Sequence, residues 1–245
     1  MRPVEKLNSG DAWGCRDGKK ETIQAEYRPY QKAREPLVAN LGSFCSYCEV
    51  AVHDASSLAV EHIQPKSLPE YTDLETKWSN FLLACQTCNG KSNKGSRNVV
   101  LDQIHLPHRN NTFFSLKYAP GGVVMVNPML QGISRLRAEN LLNLVGLNKT
   151  PQNSGTDKRW LRRSEDWKYA EKKLKDYQAG RFAIDDIIEY VKARGGWSIW
   201  FTVFDNEDAV RERLIRDFPG TSVKCFDAAN HYQPIERNPG QADPV

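Results

Sequence analysis

Residues 45–95 read CSYCEVAVHDASSLAVEHIQPKSLPEYTDLETKWSNFLLACQTCNGKSNKG, and the interpretation of the whole chain starts from this stretch. It contains two Cys-x-x-Cys pairs, Cys45 with Cys48 and Cys85 with Cys88. Two thiolates on one tight turn can bind the same tetrahedral ion, and two such turns can complete a zinc site. Because sulfur fills all four positions, such a zinc stabilises the fold and leaves no position for a reactive water. The spacing predicts a structural zinc site with four cysteine ligands.

Four short motifs of this stretch follow one another in a set order. They are Cys-x-Tyr-Cys-Glu at 45–49, Glu-His-x-x-Pro-Lys at 61–66, Trp-Ser-Asn-Phe-Leu at 78–82 and Cys-x-x-Cys-Asn at 85–89. In this order they resemble the zinc-stapled form of the HNH endonuclease family. The first two look more specifically like the PtuB-like HNH nucleases of Septu and retron antiphage systems. The resemblance implies an α+β fold, in which a ββα-metal nuclease core with the structural zinc at its base is embedded in a mainly helical chain.

The polar residues inside these motifs are the candidate catalytic groups. Hydrolysis of a phosphodiester needs a base for the attacking water and a cation for the charge that builds on the leaving oxygen. His62 fits the base, because neutral imidazole titrates near working pH. Glu61 and Asn89 carry hard oxygen donors that suit Mg²⁺ or Mn²⁺, and the resemblance implies the same role. We expect Asn80 to orient the loop that carries the base, and Asn93 is a further candidate ligand.

The resemblance also implies partners. PtuB-like nucleases work with an ABC-type ATPase, and the retron version adds a reverse transcriptase and its RNA-linked DNA. The sequence contains no Gly-rich phosphate loop, so an ATPase would have to be another chain. For the substrate, the habits of the family favour DNA, with structured RNA such as tRNA as the alternative.

A non-catalytic interpretation of the same residues stays open. Two cysteine pairs at this spacing also build zinc-stapled adaptors that bind nucleic acid or protein and cut nothing. The two hypotheses differ in metal requirement: an adaptor needs zinc alone, whereas the nuclease needs Mg²⁺ or Mn²⁺ to cut.

Composition and charge limit the partners and the cellular location that can be expected. The chain has 245 residues and a formal net charge of +4, which gives only a weak general preference for polyanions. No apolar run is long enough to span a membrane, and the first residues lack the apolar stretch of a signal peptide. We therefore expect a cytoplasmic protein without a membrane partner, in which thiols stay reduced and cysteine pairs bind metal. Nothing in the sequence pairs Cys15 or Cys225.

Three regions are predicted along the chain. Residues 1–42 form an N-terminal segment with a buttressing helix at 19–41, which Pro29 and Pro36 are expected to break or bend. Residues 43–126 form the nuclease core followed by β-prone pieces at 99–101, 112–116 and 123–126. Residues 127–245 are mainly helical and are expected to dock a partner or substrate. Apolar spacing predicts helices at 134–147, 157–178, 184–194 and 208–218. The apolar run at 197–204 is expected to be a buried or half-buried strand or an apolar edge that faces a partner.

Basic residues offer candidate contacts to the nucleic-acid backbone. A solvated, lysine-rich helix face is the alternative explanation for those on the predicted helix 157–178. The candidates beside the motif and on this helix are Lys91, Lys94, Arg162, Arg163, Lys172 and Lys173.

Overall fold

The computed structural model of this chain describes residues 1–150 and 156–237. Within these ranges, short antiparallel strand pairs alternate with α-helices, which confirms the expected α+β class. The strands are β1 Ala12–Arg16, β2 Lys19–Thr22, β3 Ala59–His62, β4 Phe81–Ala84, β5 Leu116–Ala119, β6 Val123–Val126, β7 Phe226–Asp227 and β8 Gln233–Pro234. The helices are α1 Arg34–Leu41, α2 Gln86–Asn89, α3 Thr112–Ser115, α4 Gly132–Val145, α5 Arg159–Gln178, α6 Ile184–Arg194, α7 Trp197–Val203 and α8 Asp208–Arg216.

The β3–β4 hairpin and the short helix α2 carry the candidate site. The register of the hairpin pairs Ala59 with Ala84 at one end and His62 with Phe81 at the other. Strand β4 is buried along its whole length because all four of its residues are apolar. Residues 63–80 connect the strands at the His62 end, and β4 leads directly into α2, whose N-cap is Cys85. The hairpin therefore places His62, the candidate base, and the second cysteine pair at opposite ends of one small sheet.

Two hydrophobic clusters form the interior. The first contains the β3–β4 hairpin together with Leu37 of α1 and Leu141 and Val145 of α4. The second gathers the apolar faces of α6, α7 and α8 around Trp197, Trp200 and Phe201. Because α4 packs into the same cluster as the hairpin, the nuclease core continues past residue 126 in packing terms. The predicted three-region division stays a prediction.

Most predicted helices of the second half are confirmed. The predicted segments 134–147, 157–178, 184–194 and 208–218 correspond to α4, α5, α6 and α8, with ends that differ by a few residues at most. None of the helices in the described ranges is long and apolar enough to cross a membrane.

Three local predictions are wrong. The run 197–204 was expected to be a strand or a partner-facing edge, but residues 197–203 form α7, because a continuous apolar run buried on all sides does not distinguish strand from helix. The helix predicted at 19–41 is confined to 34–41, since the chain passes through β2 and then a turn at Pro29. Residues 112–115, expected to be β-prone, form α3, whose first turn is capped by the side chain of Asn111.

Candidate active site and zinc centre

The four cysteines of the two pairs come together. Their sulfur atoms all lie within 4.8 Å of one another. A tetrahedral zinc with Zn–S bonds of about 2.3 Å needs sulfur atoms about 3.8 Å apart, and Cys48 and Cys85 lie at 3.6 Å. Burial raises the pKa of the Cys45 thiol well above its ordinary value, and a bound cation favours the thiolate form of such a cluster. The donor set and spacing fit the predicted zinc.

The first cysteine turn is held by a buried carboxylate. Glu49 follows Cys48 in a left-handed backbone conformation, with φ of 62°. Its side chain accepts hydrogen bonds from the backbone N–H and the hydroxyl of Ser198, at 2.9 and 2.6 Å. Gly195 approaches the same turn so closely that a Cβ atom there would lie 2.0 Å from the Glu49 carbonyl oxygen. The cysteine turn is thereby docked on the connection between α6 and α7.

His62 lies at the end of β3 with one ring nitrogen already engaged. Its Nε2 is 2.9 Å from the carbonyl oxygen of Glu75. A carbonyl only accepts, so Nε2 carries the proton and Nδ1 keeps its lone pair. The ring makes edge contacts with Tyr30 and Phe81, at centroid distances of 4.7 and 5.2 Å. Burial lowers the pKa of His62 below its ordinary value of 6.5, so the imidazole is neutral and suited to accept a proton at Nδ1.

Asn80 fastens the loop that carries the base. Its Oδ1 accepts a hydrogen bond from the Gln64 N–H at 2.8 Å, and its Nδ2 donates to the Gln64 carbonyl at 2.9 Å. The same Nδ2 also donates to the Leu74 carbonyl at 3.3 Å. Gln64 is two residues after His62, and Leu74 directly precedes Glu75. Asn80 therefore connects the segment that carries the imidazole to the segment that orients it.

Glu61 is buried against a lysine rather than left free for a cation. Its carboxylate pairs with Lys94 Nζ at 2.7 Å, and both side chains are 1% exposed. Burial raises the pKa of Glu61 to about 7, although the Lys94 ammonium opposes the rise. The oxygen donor suits Mg²⁺ or Mn²⁺, but a carboxylate already neutralised inside the protein does not fit a hydrated divalent ion.

The other predicted ligands lie in different surroundings. Asn89 is half-buried at the end of α2. Asn93 is buried, and its side chain donates to the Thr87 carbonyl and accepts from Lys149, at 2.8 Å in each case. Asn93 therefore holds local backbone in this structure. The divalent-ion role of Glu61 and Asn89 stays a prediction that the arrangement of Glu61 does not support.

The position of Lys94 contradicts its predicted role as a contact to the nucleic-acid backbone. Besides Glu61, its ammonium group contacts the carbonyl oxygen of His62, to which it donates at 2.6 Å. With 1% of its side chain exposed, Lys94 has no access to a polyanion outside the protein. Lys91, by contrast, is exposed and stays a candidate.

Fewer basic side chains are exposed on α5 than the sequence predicts. Arg163 is buried and donates to the carbonyl oxygens of Gly122 and Leu147, so its assignment to a substrate face is wrong. Arg162 is half-buried and hydrogen bonds to the Arg194 carbonyl. Lys173 lies over the Phe182 ring at 4.0 Å. Lys172 is the one of the four α5 candidates with an exposed side chain.

A lysine that sequence reasoning missed lies beside the base. Lys66 Nζ is 4.4 Å from the ring centroid of Tyr30, the ring that contacts His62. The same ammonium pairs with the Glu75 carboxylate at 2.6 Å, with 39% of the Lys66 side chain exposed. The sequence signal that could have identified Lys66 is its position at the end of the Glu-His-x-x-Pro-Lys motif. Lys66 is thus a cation at the rim of the site with access to solvent.

This geometry defines a class: a zinc-type cysteine cluster, a β-hairpin with a neutral histidine at its end, and an asparagine that fastens the loop between the strands. Residues 45–95 match the family model described as HNH endonuclease, which confirms the family resemblance.

A particular relative is Septu protein PtuB of Bacillus mycoides (strain KBAB4). It is 28% identical to this chain over 111 residues. The match covers 37% of this chain and 38% of the relative. The similarity therefore concerns a part of each protein that is well under half of its length.

Proposed function

We propose that this chain is an endonuclease that hydrolyses phosphodiester bonds of nucleic acid with His62 as the general base. The observation that carries the proposal is the hydrogen bond from His62 Nε2 to the Glu75 carbonyl, since it leaves Nδ1 as the proton acceptor of a neutral imidazole. The HNH endonuclease match over residues 45–95 supports the same reaction class.

The chain's own residues supply proton transfer and positioning. His62 Nδ1 takes a proton from water while the water oxygen attacks phosphorus, and the bond from phosphorus to the 3′ oxygen breaks on the opposite side. The leaving 3′ oxygen takes a proton from solvent, which gives the 3′-hydroxyl end. The imidazolium that forms still donates from Nε2 to Glu75, so its orientation does not change. Asn80 keeps the two loop segments in register during this step. Lys66, half-exposed beside Tyr30, is placed to attract a phosphate.

The two kinds of predicted metal ion would have different roles. Zinc in the four-cysteine cluster would be structural, because its four positions are filled by sulfur. Magnesium or manganese as the catalytic ion is proposed from the hard oxygen donors of Glu61 and Asn89 and from the resemblance. Bound ions of this kind neutralise charge on a phosphate, but the Glu61 carboxylate is paired with Lys94 in this structure.

The proposed substrate is DNA, with structured RNA such as tRNA as the alternative. Attack by water predicts products with 5′-phosphate and 3′-hydroxyl ends on either polymer. Attack by a ribose 2′-hydroxyl would instead leave 2′,3′-cyclic phosphate ends on RNA and would leave DNA intact. The chemistry of the ends therefore separates the two pathways.

We also propose a biological setting from the similarity to Septu protein PtuB. The chain would act as the nuclease of an antiphage defence system together with an ABC-type ATPase. A retron reverse transcriptase with its RNA-linked DNA is the further partner that the resemblance implies.

A cleavage assay tests the proposed function. The purified chain, with and without the copurifying partner, is incubated with DNA and RNA in zinc alone and then with added Mg²⁺ or Mn²⁺. We expect cleavage that His62→Ala abolishes. A chain that binds nucleic acid in every buffer and cuts neither polymer, with or without the partner, would be the zinc-stapled adaptor.

A further inference from the structure

One arginine of the C-terminal helices reaches the cysteine cluster. Arg159 is the first residue of α5, and its Nη1 lies 3.1 Å from the sulfur of Cys88. The two residues are 71 positions apart in the sequence. Cys88 is fully buried, so this N–H is directed at a sulfur that water does not reach.

The guanidinium group is held in place from several sides. Nη1 also donates to the Val145 carbonyl at 2.9 Å, and Nη2 donates to the Gly146 carbonyl at 3.0 Å. Asp157 pairs with the opposite edge, with Nη2 to Oδ2 at 2.6 Å. These contacts join the C-terminal end of α4 to the start of α5. The direction of the N–H toward Cys88 is therefore set by its contacts with the Val145 and Gly146 carbonyls and with Asp157.

The charge of a zinc–cysteine site explains what this donor can do. A zinc ion with four thiolates carries a net charge of about −2, and burial makes that charge unfavourable unless donors or cations compensate it. Hydrogen bonds to metal-bound ligands orient them and tune the site, and their removal typically costs about 10- to 100-fold in metal affinity.

We propose that Arg159 is a positioning residue of the zinc site, which donates a hydrogen bond to the Cys88 thiolate and slows loss of the metal. Zinc retention then depends on the contacts of Arg159 with the C-terminal end of α4 as well as on the two cysteine pairs. This inference requires zinc in the four-cysteine cluster and does not rest on nucleic-acid cleavage, so a failure of the proposed nuclease activity leaves it standing.

Zinc release from the full chain tests the proposal. The zinc-loaded protein is mixed with excess chelator and a zinc-sensitive dye, and the release rate is measured for the parent, Arg159→Met and Arg159→Lys. We expect release about 10- to 100-fold faster for Arg159→Met. Arg159→Lys keeps the charge but loses the two-pronged geometry, so its rate is expected to lie between those of the parent and Arg159→Met.

Arg211 is the matched control, because it is a buried arginine of the same C-terminal region. It is 2% exposed, donates to the carbonyl oxygens of Phe201 and His231, and pairs with Asp205. Arg211→Met is expected to lower the melting temperature while zinc release stays within about twofold of the parent. Equal acceleration by Arg211→Met and Arg159→Met would mean that general destabilisation frees the zinc, and the proposal would be wrong.

A spectroscopic readout covers the case in which Arg159→Met does not fold. In the cobalt-substituted protein, the sulfur-to-metal charge-transfer band reports the electron density on the thiolates. Arg159→Lys should shift this band relative to the parent, whereas Arg211→Met should leave it unchanged. An unchanged band together with a parental release rate in Arg159→Lys would overturn the proposal, as would a purified chain with four reduced cysteines and no bound zinc.

Discussion

The Nε2 atom of His62 donates a hydrogen bond to the carbonyl oxygen of Glu75, 2.9 Å away. This contact makes a backbone atom, rather than a carboxylate, the partner of the candidate base. A backbone carbonyl cannot be removed by mutation, so the proton-accepting role of Nδ1 has to be tested on the imidazole itself.

The first prediction concerns His62→Ala. The change removes the base, and a general base contributes about 10²- to 10⁴-fold, so we expect cleavage to fall by at least that factor while bound zinc stays at the parental level. Zinc content by elemental analysis and cleavage of a labelled substrate provide the measurement. His231→Ala, an exposed histidine paired with Asp208, is the control and should cut normally. Parental cleavage by His62→Ala would exclude His62 as the base.

The pH dependence of the same site has a definite sign. Burial lowers the pKa of His62 below 6.5, so a larger fraction of the ring is neutral at mildly acidic pH than for a free histidine. The rate should therefore be close to its plateau by about pH 7.5, one unit above the ordinary pKa, and fall at acidic pH as the base becomes protonated. A rate that keeps rising above about pH 7.5 would assign the limiting proton transfer to another group.

The second prediction concerns Asn80→Ala. Three hydrogen bonds between loop segments are lost, at a cost of about 2–3 kcal/mol in the free energy of unfolding, and the imidazole loses its fixed orientation. We expect slower cleavage with nearly unchanged nucleic-acid binding. Asn127→Ala is the control, because Asn127 is buried and bonds to Phe114 and Met129 away from the hairpin. Equal loss of activity per unit of lost stability in both variants would argue against a positioning role.

The third prediction concerns the zinc ligands. Replacing any one of the four cysteines by serine should lower zinc content and melting temperature together, because the free energy of zinc binding is part of the folding free energy. The four residues are Cys45, Cys48, Cys85 and Cys88. Cys15→Ser, at an exposed position, should keep both values. If all four serine variants melted at the parental temperature, the fold would not depend on a zinc site at these cysteines.

The fourth prediction concerns Lys66→Met. Loss of the solvent-accessible ammonium beside Tyr30 should weaken nucleic-acid binding, slow cleavage and lower the salt dependence of binding by about one phosphate contact. Lys77→Met is closely matched, since Lys77 is 41% exposed and pairs with Glu26 at 2.5 Å. If both variants change binding equally, Lys66 has no special place at the site.

The fifth prediction concerns the Glu61–Lys94 pair. Lys94→Met leaves a buried carboxylate without its cation and should cost about 3–5 kcal/mol of stability. Adding Glu61→Gln removes the stranded charge, so the double variant should recover much of that loss in urea unfolding. Additive losses in the double variant would show that the two groups are not coupled. The single Glu61→Gln variant also tests the predicted role of Glu61 as a ligand of the divalent ion. If the carboxylate is a ligand, its replacement should raise the Mg²⁺ or Mn²⁺ concentration needed for cleavage.

Some of this arrangement could be predicted from the sequence, because local spacing carries it. The Cys-x-x-Cys turns predicted the cysteine cluster, and heptad-like apolar spacing predicted α5. The helix α7 was not predicted from the sequence, because Trp197, Trp200 and Phe201 lie in an apolar run that would be buried as a strand or as a helix.

The contacts that fix the site depend on tertiary structure instead. Lys94 meets the His62 carbonyl from 32 residues away, and Arg159 meets Cys88 from 71. Lysine and arginine ordinarily lie at the surface, so sequence reasoning placed Lys94 and Arg163 among the substrate contacts. Only the fold shows that these two side chains are buried.

The closeness of Gly195 to Glu49 limits how this nuclease motif can be used outside its own chain. The first cysteine turn fits against the α6–α7 connection with no room for a side chain, and its Glu49 carboxylate needs Ser198. A fragment cut out at 43–126 would carry a buried acid without its donors and an apolar hairpin without α4. Residues 43–126 are therefore not expected to fold as an independent unit, and grafting them onto another protein would require the helices that follow them.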